Sequence, residues 1–280
     1  MIEDARGRID YEARGTGPTV VLVPGSCSTG AAWRPVMAAW GDRFRCVTTS
    51  LLGYGGTAER RSSRDPSIWH EVDIVESVIR KAGGPVHLVG HSFGGLVAIA
   101  VALRNRVPLA SLAVIEAPAA ELLRDAGDRQ HYRAIRQMTD DYFAAFASGN
   151  VEAIATMIDF YGGAGTFASW PRNVRAYAQE TTAVNMLDWA SAYGFPLSAA
   201  ALASIDIPVL VLWGELSHPA VQRASALLAA CIIGAVSIEI KTAAHFMIAT
   251  HADEVSRLIA RHALGAQVLS GPMTAAAESL

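Results

Sequence analysis

Cysteine and long apolar runs are scarce in this sequence. The three cysteines, Cys27, Cys46 and Cys231, are odd in number and widely spaced, which argues against a disulfide framework or a cysteine metal site and favours reduced thiols. No apolar run approaches the roughly 20 residues that a membrane helix needs. The first residues, MIEDARGRID, are too charged for a signal peptide. We expect a soluble cytoplasmic protein that does not insert into a membrane.

The sequence also has little excess of charge of either sign. The formal net charge is -3 at pH 7, and no run of lysine and arginine is long enough to follow a phosphate backbone. We therefore expect no nucleic-acid partner; the expected partner is a small-molecule substrate, and a homodimer is left open. Hydrophobic residues make up 51% of the chain, enough for a substantial core.

Short apolar runs predict β-strands at residues 19–23, 45–49, 86–89, 109–115, 209–213 and 236–240. Helix-length segments separate most of these runs, and this alternation is typical of an α/β fold with βαβ units and a mostly parallel sheet. Residues 7–17, GRIDYEARGTG, alternate polar and apolar residues and predict an antiparallel edge strand.

The alternation stops between about residues 123 and 203, where alanine, methionine and aromatic residues recur at helical spacing. We interpret residues 123–203 as a helical subdomain inserted into a core made of residues 1–122 and 204–264. Residues 265–280 are small and polar, and we expect them to form a loose tail.

The most specific motif is Gly90-His91-Ser92-Phe93-Gly94, which fits the pattern G-x-S-x-G between a buried strand and an apolar helix. In that setting a sharp turn holds the serine hydroxyl above the sheet, and the two glycines let neighbouring backbone pack closely. We predict that Ser92 is a nucleophile.

A serine nucleophile needs a base, and an acyl intermediate needs hydrogen-bond donors for its oxyanion. Among the eight histidines, His245 is the best candidate base because it follows the last predicted strand in a loop. The predicted oxyanion donors are the backbone N–H groups of Phe93 and of Ser26, which lies in the loop after the first core strand. Cys27, next to Ser26, is a candidate substrate contact.

These features resemble the α/β-hydrolase superfamily up to about Gly265. The resemblance rests on GHSFGG at the turn, VPGSCSTGAAW after the first core strand, LLGYGGTAER, and AAHFM near the end. It implies an eight-stranded, mostly parallel sheet flanked by helices, with the inserted helices as a lid over the Ser92 pocket. It requires neither a cofactor nor a metal. Pro24 and Ser50 stand where the family often has a histidine and an aspartate. Neither position belongs to the catalytic triad, so these two departures concern the subfamily and not the hydrolase prediction.

The acid of the catalytic triad is missing from its most frequent place. The family often has aspartate after the strand at 209–213, where this chain has Ser217. Glu116 ends the strand that follows the Ser92 helix and should emerge at the same sheet edge as Ser92. Some branches of the family, haloalkane dehalogenases among them, carry their acid there. Glu215 is the alternative acid, and a Ser-His dyad without a carboxylate also stays open.

We predict a serine hydrolase that cleaves a small or medium, largely apolar carboxylic ester, thioester or lactone through an acyl-enzyme. Phe160, Trp170 and Trp189 of the lid, together with His218, are predicted to contact the substrate. Carbon–carbon bond hydrolysis, acyl transfer and perhydrolysis remain alternatives, as does a ligand receptor that keeps the triad. A serine at the turn argues against dehalogenation, because relatives with that activity need an aspartate there.

Overall fold

A computed structural model describes residues 1–270 of the chain. Its strands are β1 Ile2–Asp4, β2 Gly7–Ile9, β3 Glu12–Arg14, β4 Thr19–Val23, β5 Arg45–Thr48, β6 Val86–His91, β7 Leu109–Ile115, β8 Val209–Gly214 and β9 Val236–Ile240. Seven strands form one sheet in the order β3-β5-β4-β6-β7-β8-β9, and β1 pairs with β2. In the large sheet β3 runs antiparallel to β5, and all other neighbours are parallel. The predicted mostly parallel sheet is confirmed.

The large sheet has seven strands rather than the eight that the resemblance implies. Between β2 and β3 the chain bonds to side chains instead of to a neighbouring strand. Asp10 N donates to Thr57 Oγ1 at 3.0 Å, and Asp10 O accepts from Thr49 Oγ1 at 2.7 Å. The Asp10 carboxylate also accepts from Ser50 Oγ at 2.9 Å and from Gly56 N at 2.8 Å. These bonds interrupt the ladder at Asp10, so the amino-terminal hairpin stays separate.

The helices are a 3-10 helix Gly30–Trp33, α1 Arg34–Trp40, α2 Trp69–Ala82, α3 Phe93–Arg104, α4 Ala120–Asp125, α5 Arg129–Ala147, α6 Ile154–Gly162, α7 Thr166–Ser169, α8 Arg172–Glu180, α9 Thr182–Gly194, α10 Ala199–Leu202, α11 Pro219–Cys231, α12 Met247–Thr250 and α13 Ala252–Ser270. Helices α4 to α10 lie between β7 and β8, where the sequence predicts an inserted helical subdomain. We call these seven helices the helical insertion.

Both faces of the sheet are covered, so its central strands are buried. In β4, Val20 and Leu22 pack into a core with residues of α1 and α13, while Val21 and Val23 pack on the other face with residues of α2 and α3. Alternate residues of a strand point to opposite faces. Two buried faces explain why the predicted strands are continuous apolar runs.

The last helix, α13, continues to Ser270, so it includes the first residues of the segment that we predict to be a loose tail. Residues 266–270 contain no glycine or proline, and nothing in their sequence ends the helix. The rest of the predicted tail, residues 271–280, lies outside the described residues.

Candidate active site

Ser92 lies at a strained turn between β6 and α3. Its backbone has φ 54° and ψ -129°, a region that residues with a Cβ rarely adopt. Its N–H donates to Ile115 O at 2.8 Å. A Cβ on Gly90 would lie 2.3 Å from Gly94 O, and one on Gly94 would lie 2.2 Å from Pro24 O. The two glycines therefore permit the close backbone contacts that hold Ser92 at the carboxyl edge of the sheet.

Glu116 directly follows β7 and contacts His245. Its Oε2 lies 2.6 Å from His245 Nδ1, and both side chains are buried. Its Oε1 accepts hydrogen bonds from Gly214 N at 2.8 Å and from Ser217 Oγ at 2.5 Å. A carboxylate beside Nδ1 keeps a proton on that nitrogen and leaves Nε2 able to accept one. The ends of β7 and β8 meet here because these strands are neighbours in the sheet.

Ser92 and His245 line the same cavity, which has a volume of about 320 Å³. We call it the active-site cavity. Its walls come from the loop after β4, the Ser92 turn, the His245 loop, and helices of the helical insertion that include α6 and α9. The α9 residues in the wall are Asn185, Asp188, Trp189 and Ala192. Their spacing of three or four residues places them on one face of that helix.

The loop after β4 packs against Ser92. A Cβ on Gly25 would lie 2.9 Å from Ser92 Cβ, so this approach requires glycine. Ser26 and Phe93, the predicted oxyanion donors, both line the active-site cavity. Phe93 begins α3, and backbone N–H groups in the first turn of a helix have no partner within it. Both predicted donors thus belong to segments that line the same cavity as Ser92.

A buried carboxylate of the helical insertion bonds to the loop after β4. Asp188 Oδ2 accepts from Ser26 Oγ at 2.5 Å and from Tyr54 OH at 2.6 Å, and Asp188 Oδ1 accepts from Arg61 Nη1 at 2.7 Å. Burial raises the pKa of Asp188, although the Arg61 guanidinium and the two hydroxyls oppose that shift. Arg61 Nη1 also lies 3.2 Å from the buried carboxyl of Glu71. Asp188 thus joins α9 to two loops of the core.

Three of the predicted substrate contacts line the cavity: Cys27, Trp170 and Trp189. Phe160 and His218 are not among the residues that line it; their rings stack on each other, with centroids 4.0 Å apart. Successive helical residues are rotated by about 100°, so in α6 it is Tyr161, not Phe160, that faces the cavity. His218 is held at the start of α11, where its Nδ1 accepts from Ala220 N at 3.1 Å.

Glu215, the alternative acid, is bonded away from His245. Its carboxylate accepts from Lys241 Nζ at 3.1 Å and from Thr242 N at 2.9 Å. These hydrogen bonds lower the pKa of Glu215, and 39% of its side chain is exposed. The Glu215 carboxylate is thus held by residues that follow β9, and Glu215 is not among the residues that line the cavity.

Sequence reasoning missed several polar residues around the cavity. Tyr161, Asn185 and Asp188 line it, and the spacing of Asn185, Asp188 and Trp189 on one face of α9 is the signal that could have found two of them. His91 Nε2 lies 2.9 Å from His245 O. Burial lowers the pKa of His91 to about 3, so it is neutral and supports the His245 loop.

One cysteine, Cys27, lies in the wall of the active-site cavity. Burial raises the pKa of the Cys27 thiol to about 12, which keeps it protonated and unreactive. Within residues 1–270, no group of three or more histidine, cysteine, aspartate and glutamate side chains could hold a metal ion. In the same part of the chain, no helix is long and apolar enough to cross a membrane.

The comparison with protein families agrees with this geometry. A sequence model described as the alpha/beta hydrolase family matches residues 20–258. The chain belongs to that family. It is 33% identical over 104 residues to haloalkane dehalogenase 2 of Mycobacterium tuberculosis, a match that covers 37% of this chain and 36% of that protein.

Other similar proteins include an esterase and an enol-lactonase. Over 117 residues the chain is 30% identical to the pimeloyl-(acyl-carrier protein) methyl ester esterase of Aeromonas hydrophila, covering 42% of this chain and 44% of the esterase. The matches thus span less than half the length of these curated relatives. The crystal structure of the enol-lactonase from Burkholderia xenovorans superposes with a TM-score of 0.69 at 18% identity, covering 91% of this chain and 95% of that one. This similarity shows the shared fold.

Proposed function

We propose that the protein is a serine hydrolase that cleaves carboxylic esters, thioesters or lactones through an acyl-enzyme. The observation that carries the proposal is the 2.6 Å contact between Glu116 Oε2 and His245 Nδ1, beside a cavity that Ser92 also lines. Membership of the family supports hydrolysis in general. The similarity to a methyl ester esterase favours an ester among the substrates.

The proposed reaction has two halves. Ser92 Oγ attacks the substrate carbonyl carbon while His245 Nε2 takes the hydroxyl proton, and the carbonyl electron pair moves to the oxygen. The backbone N–H groups of Ser26 and Phe93 bind that oxyanion. His245 then gives its proton to the leaving alkoxide, and the acyl group stays on Ser92. In the second half a water, deprotonated by His245, displaces Ser92 and releases the acid, while Glu116 stabilises the imidazolium throughout.

The cavity favours a small or medium, largely apolar substrate. Its volume of about 320 Å³ is at the lower end of the range of ligand pockets. Met157, Trp170 and Trp189 contribute apolar surface to its wall. We propose that the helical insertion is the lid of this pocket, since α6 and α9 supply part of the wall.

The test is hydrolysis of p-nitrophenyl esters of short and medium acyl chains, with γ- and δ-lactones. We expect turnover by the wild-type protein and a loss of about 1000-fold or more in Ser92→Ala. Ser237→Ala, at an exposed serine of β9, is the matched control and should keep wild-type activity. A fluorophosphonate should label the wild-type protein at Ser92, as detected by mass spectrometry.

Other outcomes would replace this proposal. Cleavage of a β-diketone without cleavage of any ester would indicate a carbon–carbon bond hydrolase. Formation of a new ester from an added alcohol, in preference to the free acid, would indicate an acyltransferase. Thermal stabilisation by a ligand without turnover of any substrate, and without labelling of Ser92, would indicate a receptor.

A further inference from the structure

Within residues 1–270, the Tyr161 hydroxyl and Asn185 Oδ1 have no hydrogen-bond partner. Both side chains line the active-site cavity. Tyr161 is 4% exposed and Asn185 1%, so bulk water does not solvate either atom. Leaving a buried polar group unpaired is unfavourable, and most such groups in folded proteins are paired. Two of them on side chains of one cavity favour a polar group on the molecule that binds there.

Both residues belong to the helical insertion, and Tyr161 lies near the proposed base. The Tyr161 ring, on α6, is 4.4 Å from the His245 ring and 6.3 Å from the Trp189 ring, measured between centroids. Asn185 lies one turn before Trp189 on the cavity face of α9. Ser92 lines the same cavity, so a substrate with its carbonyl carbon at Ser92 has its acyl or alcohol part in the space that Tyr161 and Asn185 also line.

The charges of the wall favour an uncharged group. No lysine or arginine within residues 1–270 lines the cavity, and Asp188, three residues after Asn185, contributes a carboxylate. That carboxylate already accepts hydrogen bonds from Ser26, Tyr54 and Arg61. A carboxylate on the substrate would lose its hydration here without gaining a cation, and it would face Asp188. A neutral polar group avoids both penalties.

The hydrogen-bonding capacity of the two side chains further limits which neutral polar groups of a substrate can bind here. Asn185 Oδ1 accepts a hydrogen bond, while the Tyr161 hydroxyl donates or accepts one. A hydroxyl or a secondary amide offers both a donor and an acceptor. Such a group can also pair with Asn185 if the Asn185 side-chain amide turns by 180° and presents its NH2 group, a donor, instead of Oδ1.

We propose that Tyr161 and Asn185 form a polar subsite that binds an uncharged hydroxyl or secondary amide group of the substrate. The inference rests on the proposed function and names a substrate class within it: esters and lactones that carry such a group near the reacting carbonyl. Each residue is a specificity determinant rather than part of the nucleophilic machinery.

The experiment compares matched pairs of p-nitrophenyl esters. One pair is the butanoate and the 3-hydroxybutanoate, and the other is the hexanoate and the N-acetyl-β-alaninate, which have equal chain lengths. Each kcat/KM is divided by the rate of alkaline hydrolysis of the same ester, which removes intrinsic reactivity. For the wild-type protein we expect the polar member of each pair to be preferred by about 3- to 10-fold. The anionic hemisuccinate ester should be the poorest substrate.

Variants assign the preference to the subsite. Tyr161→Phe removes only the hydroxyl oxygen, and Asn185→Leu replaces the amide with an apolar group of similar size. Each should lower the polar-to-apolar ratio toward one, whatever its effect on the plain ester. Tyr132→Phe and Asn173→Leu change the same residue types outside the cavity and should keep the wild-type ratio. Thermal unfolding of all four variants checks that they are folded.

The outcomes separate the subsite from the proposed function. A wild-type ratio near one, or a ratio that both cavity variants leave unchanged, overturns the subsite while ester turnover upholds the serine hydrolase. A preference for the anionic hemisuccinate ester would show that the bound group of the substrate need not be uncharged, and it would overturn that part of the proposal. If no ester is hydrolysed and the fluorophosphonate does not label Ser92, the proposed function itself fails and the subsite falls with it.

Discussion

The hydroxyl of Ser217 donates a hydrogen bond to Glu116 Oε1 at 2.5 Å, while Oε2 of the same carboxylate lies 2.6 Å from His245 Nδ1. Ser217 stands after β8, where the family frequently has its acid. In this structure the carboxylate that contacts His245 comes from the end of the adjacent strand β7, and Ser217 binds it. Gly214 N supplies a second fixed donor to Oε1. Serine at position 217 is therefore part of the site.

Replacing Glu116 by glutamine should lower kcat/KM for esters by on the order of 1000- to 10000-fold. An amide cannot stabilise the imidazolium, and its NH2 group can face Nδ1 and favour the wrong tautomer. Glu215→Gln removes a carboxylate that binds Lys241 and Thr242, so it should stay close to wild-type activity. Steady-state hydrolysis of one p-nitrophenyl ester by the two variants is the measurement. Equal activities would show that Glu116 is not the orienting acid.

The strands and the Ser92 turn are predictable because their signals are local. The apolar runs 19–23, 109–115 and 236–240 coincide with the observed bounds of β4, β7 and β9. The carboxyl edge at which Glu116 emerges follows from the order of strands along the chain, because neighbouring parallel strands end at the same edge.

What the sequence does not reveal depends on side-chain direction and on contacts between distant segments. Phe160 and Tyr161 are adjacent aromatic residues, yet Tyr161 lines the cavity and Phe160 stacks on His218. Asp188 bonds to Ser26 across 162 positions of the chain. No local pattern marks such a pair, since it forms only when α9 packs over the loop after β4.

Asp188→Asn should lower kcat by about tenfold with a smaller effect on KM. Asp188 holds the Ser26 hydroxyl, and a displaced Ser26 N–H weakens oxyanion binding, which acts in the transition state. Ser26→Ala breaks the same contact from the other side. We therefore expect the double variant to be no slower than the slower single variant, because the two changes remove one shared contact. The kcat and KM values of the two single variants and of the double variant, compared with the wild type, complete a double-mutant cycle.

Loss of the Arg61 ion pairs is the alternative explanation for a slow Asp188 variant. Glu59→Gln removes another carboxylate of Arg61, whose Nη2 lies 2.8 Å from Glu59 Oε2, without touching Ser26. It should leave kcat near the wild-type value. If Glu59→Gln is as slow as Asp188→Asn, or if the effects of Ser26→Ala and Asp188→Asn simply add, Asp188 does not act through Ser26.

Glu71 should make the stability of the protein depend on pH. Burial raises its pKa from 4.5 to about 8, so between these values the folded protein holds a proton that the unfolded chain has lost. The free energy of unfolding therefore falls as the pH rises from about 4.5 to 8. Glu71→Gln stays neutral throughout and should show a flatter profile in urea unfolding at pH 5, 6.5 and 8. Identical slopes for the variant and the wild type would contradict this assignment.

Moving the acid to position 217 tests whether its position or only its charge matters. In Glu116→Ala/Ser217→Asp a carboxylate occupies the turn after β8, where the family frequently has one. Since Ser217 Oγ lies 2.5 Å from Glu116 Oε1, the longer aspartate can approach His245 Nδ1 through the space left by Glu116.

We expect Glu116→Ala to lose on the order of 1000-fold in kcat/KM, and the double variant to recover about tenfold or more of that loss. Ser217→Asp alone should be less active and less stable than the wild type, because two carboxylates would share one buried site. Ester hydrolysis and thermal unfolding of the three variants measure both effects. A folded double variant that is no faster than Glu116→Ala would show that in this protein the acid must come from β7.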